Sequence, residues 1–341
     1  MKNLLQMIFR LHKAPGPKSA NAYDVAKQRE IENYKELKNI HDLPAIFHYW
    51  KDRYLQPNFL ESGFSGIDEF FAKNLLLGAA QDSVFLSVGA GYCDTEMRIA
   101  KLMKEMGLKT FKFECLELNP HLIRRAEEMA EKEGLSGCME FTEADFNEWR
   151  PKRTYSGVMA NHSLHHVVKL ESLFDNIYKS LSPDGVFVVN DMIGRNGHQR
   201  WPEALEVVNQ FWGELPEAYR YNHQLQRVEP EFVNWDCSTE GFEGIRAQDI
   251  LPLLVEHFKF KYFYGFANVI GPFIDRGFGH NFDAAADWDR AFIDRLHEAD
   301  EEGFQSGRLK PTQMLAVMTK SKPSDPFYVR GLSPESSVRH P

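Results

Sequence analysis

Three imidazoles fall within the short run Asn161-His162-Ser163-Leu164-His165-His166. Histidine is the side chain whose ordinary pKa suits proton transfer near neutral pH. His165 or His166 is therefore the candidate general base for an acceptor, such as a hydroxyl, that must lose a proton. His162 lies closer to the preceding strand and reads as a substrate contact. Upstream, Gly89 and Gly91 break the apolar run Val84-Phe85-Leu86-Ser87-Val88. A Cβ at either glycine would block close approach of a ligand to the backbone. Glu117 can accept hydrogen bonds from both hydroxyls of a ribose, Asp145 from an exocyclic amine, and Phe146 can lie against a base. The helix start after Gly91 favours a carboxylate or a phosphate. Together these groups suit one nucleoside-sized ligand.

Elements of α/β type must position them. Apolar runs that read as buried parallel strands cover Ser83–Val88, Phe111–Glu117, Cys138–Thr142, Tyr155–Ala160 and Val186–Val189. Helical spacing separates them. Asp94–Met106 shows Ile99, Leu102, Met103 and Met106 on one face, and Gly107 stops it. Asn119-Pro120 supplies a cap and a first-turn proline for a helix burying Leu122, Ile123, Ala126 and Met129. Leu170, Leu173, Phe174, Ile177 and Leu181 mark the next helix, ended by Ser182-Pro183-Asp184-Gly185. A helix over Gln248–His257 tolerates Pro252 only in its first turn. Strands Phe260–Phe266 and Gln313–Thr319 follow. Ligands of such sheets sit beyond the carboxyl ends of the strands, where the chemistry-bearing residues gather.

Read this way, the chain resembles the class I S-adenosylmethionine-dependent methyltransferases over roughly Ser83 to Phe266 plus the final strand. The family's G-x-G-x-G turn appears as Gly89-Ala90-Gly91-Tyr92-Cys93, with the third glycine replaced. The resemblance implies a Rossmann-like seven-stranded sheet, mostly parallel with the last strand antiparallel between the fifth and sixth, and helices on both faces. It implies S-adenosyl-L-methionine as cofactor, lined by Ser87, Gly89, Ala90, Gly91, Glu117, Leu118, Asp145, Phe146 and Asn161. Glu117 would hold the ribose and Asp145 with Phe146 the adenine. The implied reaction is methyl transfer to a small molecule, oxygen favoured over nitrogen. A dinucleotide fingerprint would need glycine at 94, where this chain has Asp94, so an NAD(P)-dependent oxidoreductase is the weaker alternative. A methyltransferase-like module that binds without turnover is the other.

Two long stretches interrupt the alternation, 194–244 and 271–311, and both leave from the carboxyl edge. They read as insertions forming a lid over a small substrate. Among their polar and aromatic residues, Asp191 at the strand end, Arg195, His223, Trp235 and His280 are candidate substrate contacts; His198, Asp236, Glu240, Glu243, Arg246 and Asp283 are further polar residues in or beside these stretches with no role assigned. No acid-pair spacing supports a metal site. The division expected is 1–80 as an N-terminal helical extension, 81–320 as the methyltransferase domain, and 321–341 as a loosely ordered tail. The net charge of -9 disfavours nucleic acid and acidic lipid as partners. The four cysteines form no CxxC pair, which suits reduced thiols in a cytoplasm. No apolar run is long enough for a bilayer. Met1–Leu11 is apolar with Lys2 and Arg10 interspersed and lacks a small-residue cleavage site, so it reads as a packed amphipathic helix. A homodimer is compatible with all of this.

Overall fold

In the computed structural model, which describes residues 20–33 and 43–339, the alternation becomes one sheet. The amphipathic reading of Met1–Leu11 lies outside the described residues. The strands are β1 (Ser83–Val88), β2 (Phe111–Glu117), β3 (Met139–Glu143), β4 (Tyr155–Asn161) and β5 (Leu181–Met192). After a two-strand hairpin, β6 (Tyr221–Asn222) and β7 (Arg227–Val228), come β8 (Lys259–Phe266), β9 (Gln313–Thr319) and β10 (Phe327–Tyr328). The sheet order is β3-β2-β1-β4-β5-β9-β8-β10. β9 runs antiparallel between β5 and β8, as expected. The strand count is eight rather than seven, because Phe327–Tyr328 adds a short parallel edge to β8. The segment expected to be a loose tail thus pairs with the sheet, buries Val329 and ties Arg339 to Glu203 at 2.8 Å.

The order reverses between β1 and β4, so the loops leaving these neighbouring strands diverge and open a crevice. The central strands are apolar on both faces because helices cover both. Gly157 in β4 lets helix Ile67–Leu75 approach: a Cβ there would meet Leu75 Cδ2 at 2.8 Å. The helix Leu170–Ser180 buries its expected stripe, Leu170, Leu173, Phe174 and Ile177. In Asp94–Glu105 the buried face is Met97, Ile99, Ala100 and Met103, whereas Met106 is exposed. Asn119 caps Pro120–Lys132 by accepting from His121 N, but Met129 faces solvent and Ala130 packs instead. Pro252 lies beyond the first turn of Ala247–His257, contrary to the expectation.

The insertions are more ordered than their sequence suggested. The first holds helix Pro202–Glu214 and the hairpin; the second holds the 19-residue helix Asp287–Gln305. The latter helix was hidden because its inward stripe of Phe292, Ile293, Leu296 and Phe304 also contains Asp300 and Gly303. Asp300 is turned inward to accept backbone N–H groups of Asn268, Val269 and Ile270 at 2.7–3.2 Å. Gly303 admits Leu309, whose Cδ1 would lie 2.4 Å from a Cβ. The N-terminal helices dock on this same helix: Tyr54 stacks on His297 with ring centroids 3.8 Å apart, and Tyr49 donates to Asp294 at 2.9 Å. Among the described residues no helix is long and apolar enough to cross a membrane.

Candidate functional site

A cavity of about 1200 Å³ lies where β1, β2, β3, β4 and β5 end. The turn after β1 forms one wall. Gly89 has φ +72°, and a Cβ on it would meet Ser163 Cβ at 2.5 Å; Gly91 has φ +55° with nothing within 4 Å of a modest side chain's first carbon. The first glycine is thus required by the neighbouring loop, and the second leaves the cavity side of the backbone bare. Glu117 closes the turn from beneath. Its Oε2 accepts from Gly91 N at 2.8 Å and its Oε1 from Asn119 N at 2.8 Å. Burial pushes its pKa up, while these backbone N–H groups oppose the rise. Each carboxylate oxygen retains a lone pair for a ligand hydroxyl.

Ser87 does not face the cavity. It is buried and donates to Glu96 Oε1 at 2.7 Å. Burial pushes the Glu96 carboxyl up to about 7. The folded chain therefore holds a proton that the unfolded chain releases at its ordinary, lower pKa, and stability falls as pH rises through that window. Glu96→Gln keeps the hydrogen bond to Ser87 and removes the titration. We expect its urea midpoint to exceed that of the unsubstituted chain at about pH 8, by the equivalent of about 1–3 kcal/mol, and the difference to shrink near pH 5. A constant difference between the two pH values would remove Glu96 as the source.

Asp145 and Phe146 follow β3 and border the same cavity as Glu117. The two acids sit on adjacent strand ends, with Ala144 N donating to Glu117 O at 2.9 Å. Asp145 is already engaged by helix Ala20–Asn33: Tyr23 Oη donates to its two oxygens at 2.8 and 2.9 Å, and Lys27 Nζ lies at 3.2 Å. Burial alone would raise the Asp145 pKa, but Tyr23, the Asn147 backbone N–H and Lys27 hold it below the usual carboxylate range. Tyr23 and Glu30 of this helix line the cavity, which no spacing in the sequence indicated. Ala90, Leu118 and Asn161 line it too. Asn161 Oδ1 accepts from Asn190 Nδ2 at 2.8 Å.

The histidine run turns directly after β4. His162 has φ +51° and borders the cavity. His165 is buried between two carboxylates: its Nδ1 is 2.5 Å from Asp191 Oδ1 and its Nε2 3.4 Å from Glu243 Oε1. Burial opposes protonation, but Asp191 and Glu243 outweigh it and raise the His165 pKa to about 10. His166 moves the other way, down to about 4, through burial and the neighbouring His165. Its Nδ1 is buried without a hydrogen-bond partner among the described residues, and its Nε2 is 3.6 Å from Glu243 Oε2. Near neutral pH these surroundings keep His165 protonated and His166 neutral.

Of the expected substrate contacts, only His162 borders the cavity. Asp191 is fully buried and accepts from Ser163 N, Leu164 N and Met192 N besides His165, so it orients the loop. Arg195 turns away to lie over Trp201. His223 and His280 meet each other on the outer side of the insertions, with ring centroids 5.4 Å apart. Trp235 is also on the outside. Insertion residues His198, Arg200 and Glu243 do reach the cavity. Arg200 has a buried Nε with no hydrogen-bond partner among the described residues. Sequence signals for this set were faint: a glycine adjoins His198 and Glu243, but glycines equally adjoin Arg195, Glu214 and Glu240, and Arg200 carries no such mark.

A methyltransferase-domain family matches residues 80–234. The sterol 24-C-methyltransferase of Neurospora crassa is 30% identical over 118 residues, covering 34% of this chain and 30% of that protein. A sterol 24-C-methyltransferase of Gibberella zeae is 24% identical over 247 residues, covering 68% and 60%. The chain therefore spans less than two thirds of these curated relatives. Among solved structures, an O-methyltransferase from a trans-AT PKS multienzyme of Brevibacillus brevis, in complex with S-adenosyl-L-homocysteine, is 12% identical with a TM-score of 0.42, covering 84% of this chain and 82% of that one.

Proposed function

We propose that this chain, whose residues 80–234 match a methyltransferase-domain family, moves a methyl group from S-adenosylmethionine to a hydroxyl-bearing small molecule. The observation that carries the reading is one cavity bordered at one side by Gly89, Gly91, Glu117 and Asp145 and at the other by His165 and His166. The first group fits the cofactor. The bare Gly91 backbone leaves room for its methionine end, and Glu117 keeps acceptor capacity for two ribose hydroxyls. Phe146 offers a face for the adenine, and Asp145 accepts its amine where Tyr23 or Lys27 yields. When bound, S-adenosylmethionine supplies an electrophilic methyl on a sulfonium, which an aligned nucleophile displaces in line.

The acceptor then occupies the remaining space. His166, with an unpartnered nitrogen, takes the hydroxyl proton. His165, oriented by Asp191, supports the negative charge that develops on the acceptor oxygen. The Arg200 guanidinium favours an acceptor that also carries an anionic or carbonyl oxygen. Both insertions and helix Ala20–Asn33 act as a lid that excludes water. One further observation favours a second reading. Phe47, Trp50, Phe59 and Phe232 wall part of the cavity, and the curated relatives are sterol methyltransferases, so an alkene carbon of a bulky apolar acceptor is the alternative nucleophile.

The test is a panel of hydroxy acids, phenols and prenyl or sterol alkenes, scored for S-adenosylhomocysteine release and product mass. We expect turnover with a hydroxyl acceptor. Turnover only with alkenes replaces the first reading by the second. Tight S-adenosylhomocysteine binding with no turnover across the panel favours a binding module. Binding of NAD instead of S-adenosylhomocysteine overturns the assignment.

A further inference from the structure

We propose that His165, His198 and Glu243 form a site for one divalent transition-metal ion at the acceptor side of the cavity. The proposal goes beyond methyl transfer and stands without it. The ligand atoms belong to three loops and lie within 4.8 Å of one another. His165 Nε2 is 3.4 Å from Glu243 Oε1, and His198 Nε2 is 2.5 Å from the same oxygen. Bonds of about 2.0–2.1 Å at tetrahedral angles place neighbouring ligand atoms about 3.3 Å apart. The first pair already has that spacing, and the second needs Glu243 to withdraw by less than about 1 Å.

The chemistry of His165 argues for a cation there. Asp191 accepts the Nδ1 proton of His165, and Nε2 faces the Glu243 carboxylate at 3.4 Å, a gap that a proton fills in the imidazolium and that a metal ion fills by displacing that proton. Two acceptors face each other stably only with a cation between them, a proton or a metal ion. Asp191 itself is saturated by three backbone N–H groups and His165, so it cannot serve as a ligand alongside His162. Its place is behind the ligand, where a carboxylate fixes the tautomer and raises the basicity of a metal-bound imidazole.

A second, independent feature is the backbone that presents His198. This residue has φ +56° and follows Gly197 at φ +64°, a left-handed pair that costs energy for histidine. Gly197 N donates to Gly244 O at 2.9 Å, and a Cβ on Gly244 would meet His198 Cε1 at 3.0 Å. The loops carrying His198 and Glu243 are thus locked together in a conformation that aims both side chains inward. Two imidazoles and one carboxylate leave open positions on an ion such as Zn²⁺, Mn²⁺ or Fe²⁺. An acceptor oxygen in the adjoining cavity would occupy one of them and be polarised there.

The experiment titrates the chelator-treated chain with Zn²⁺ by calorimetry and with Co²⁺ by visible absorption, in the absence of cofactor and acceptor. We expect about one ion per chain and a Co²⁺ ligand-field spectrum. His198→Ala and Glu243→Gln should abolish the spectrum, Asp191→Asn should weaken binding about 10–100-fold, and His223→Ala should bind as the unsubstituted chain does. Circular dichroism identifies a variant that fails to fold. In that event the unsubstituted chain decides alone, because binding well below one ion per chain sinks the proposal. Unchanged Co²⁺ spectra in folded His198→Ala and Glu243→Gln chains also sink it. Neither outcome depends on whether methyl transfer is the activity.

Discussion

His166→Ala slows methyl transfer about 10²–10⁴-fold at saturating acceptor and leaves S-adenosylhomocysteine affinity within a few-fold of its starting value. The expectation follows from where the ring sits. Its Nδ1 is buried without a partner, its Nε2 is 3.6 Å from Glu243, and it borders the acceptor side of the cavity. Removing it strips no donor from the glycine turn and no partner from Asp191. His165→Ala is a harsher change. It leaves the buried Asp191 carboxylate without its cationic neighbour, which costs several kcal/mol when such a pair is broken. Loss of activity in that variant would therefore mix folding with chemistry, whereas His166→Ala isolates the chemistry. Initial rates and calorimetry on the same preparation check it. Full activity of His166→Ala returns the residue to a packing role.

Glu117→Ala weakens S-adenosylhomocysteine binding by about 1–3 kcal/mol, roughly 5–150-fold in Kd. Two losses combine. The ribose hydroxyls lose a charged acceptor, and the N–H groups of Gly91 and Asn119 lose the carboxylate that holds the turn to the end of β2. Glu117→Gln is no remedy, because one amide end would turn N–H donors toward a backbone N–H. Calorimetric titration of S-adenosylhomocysteine measures the effect. Affinity equal to that of the unsubstituted chain would remove Glu117 from the cofactor site and weaken the case for Asp145 with it.

Both expectations depend on residues that were legible as types and spacings, yet the cavity around them was only half legible. Strand ends are local features: a short apolar run, a glycine pair or an acid at the boundary, and a capped helix behind it. That is why Gly89, Gly91, Glu117, Asp145 and the histidine run could be assigned to one edge of the sheet, and why the antiparallel place of β9 followed the family resemblance. The insertions carried no such grammar. Polar residues there were equally plausible one by one, and Arg195, His223, Trp235 and His280 turned outward while Arg200 and Glu243 turned in. The long helix Asp287–Gln305 is not legible in the sequence because Asp300 and Gly303 interrupt its apolar stripe for reasons that lie in distant segments.

The linear order of residues determined the α/β alternation and the chemistry available at each strand end, since those rest on periodicity and on contacts between near neighbours. Tertiary structure alone decided that helix Ala20–Asn33 reaches Asp145 through Tyr23 and Lys27, and that His198 and Glu243 meet His165. Those meetings join segments separated by tens to more than a hundred positions. Their energies come from burial and charge pairing, which exist only once the chain has closed on itself.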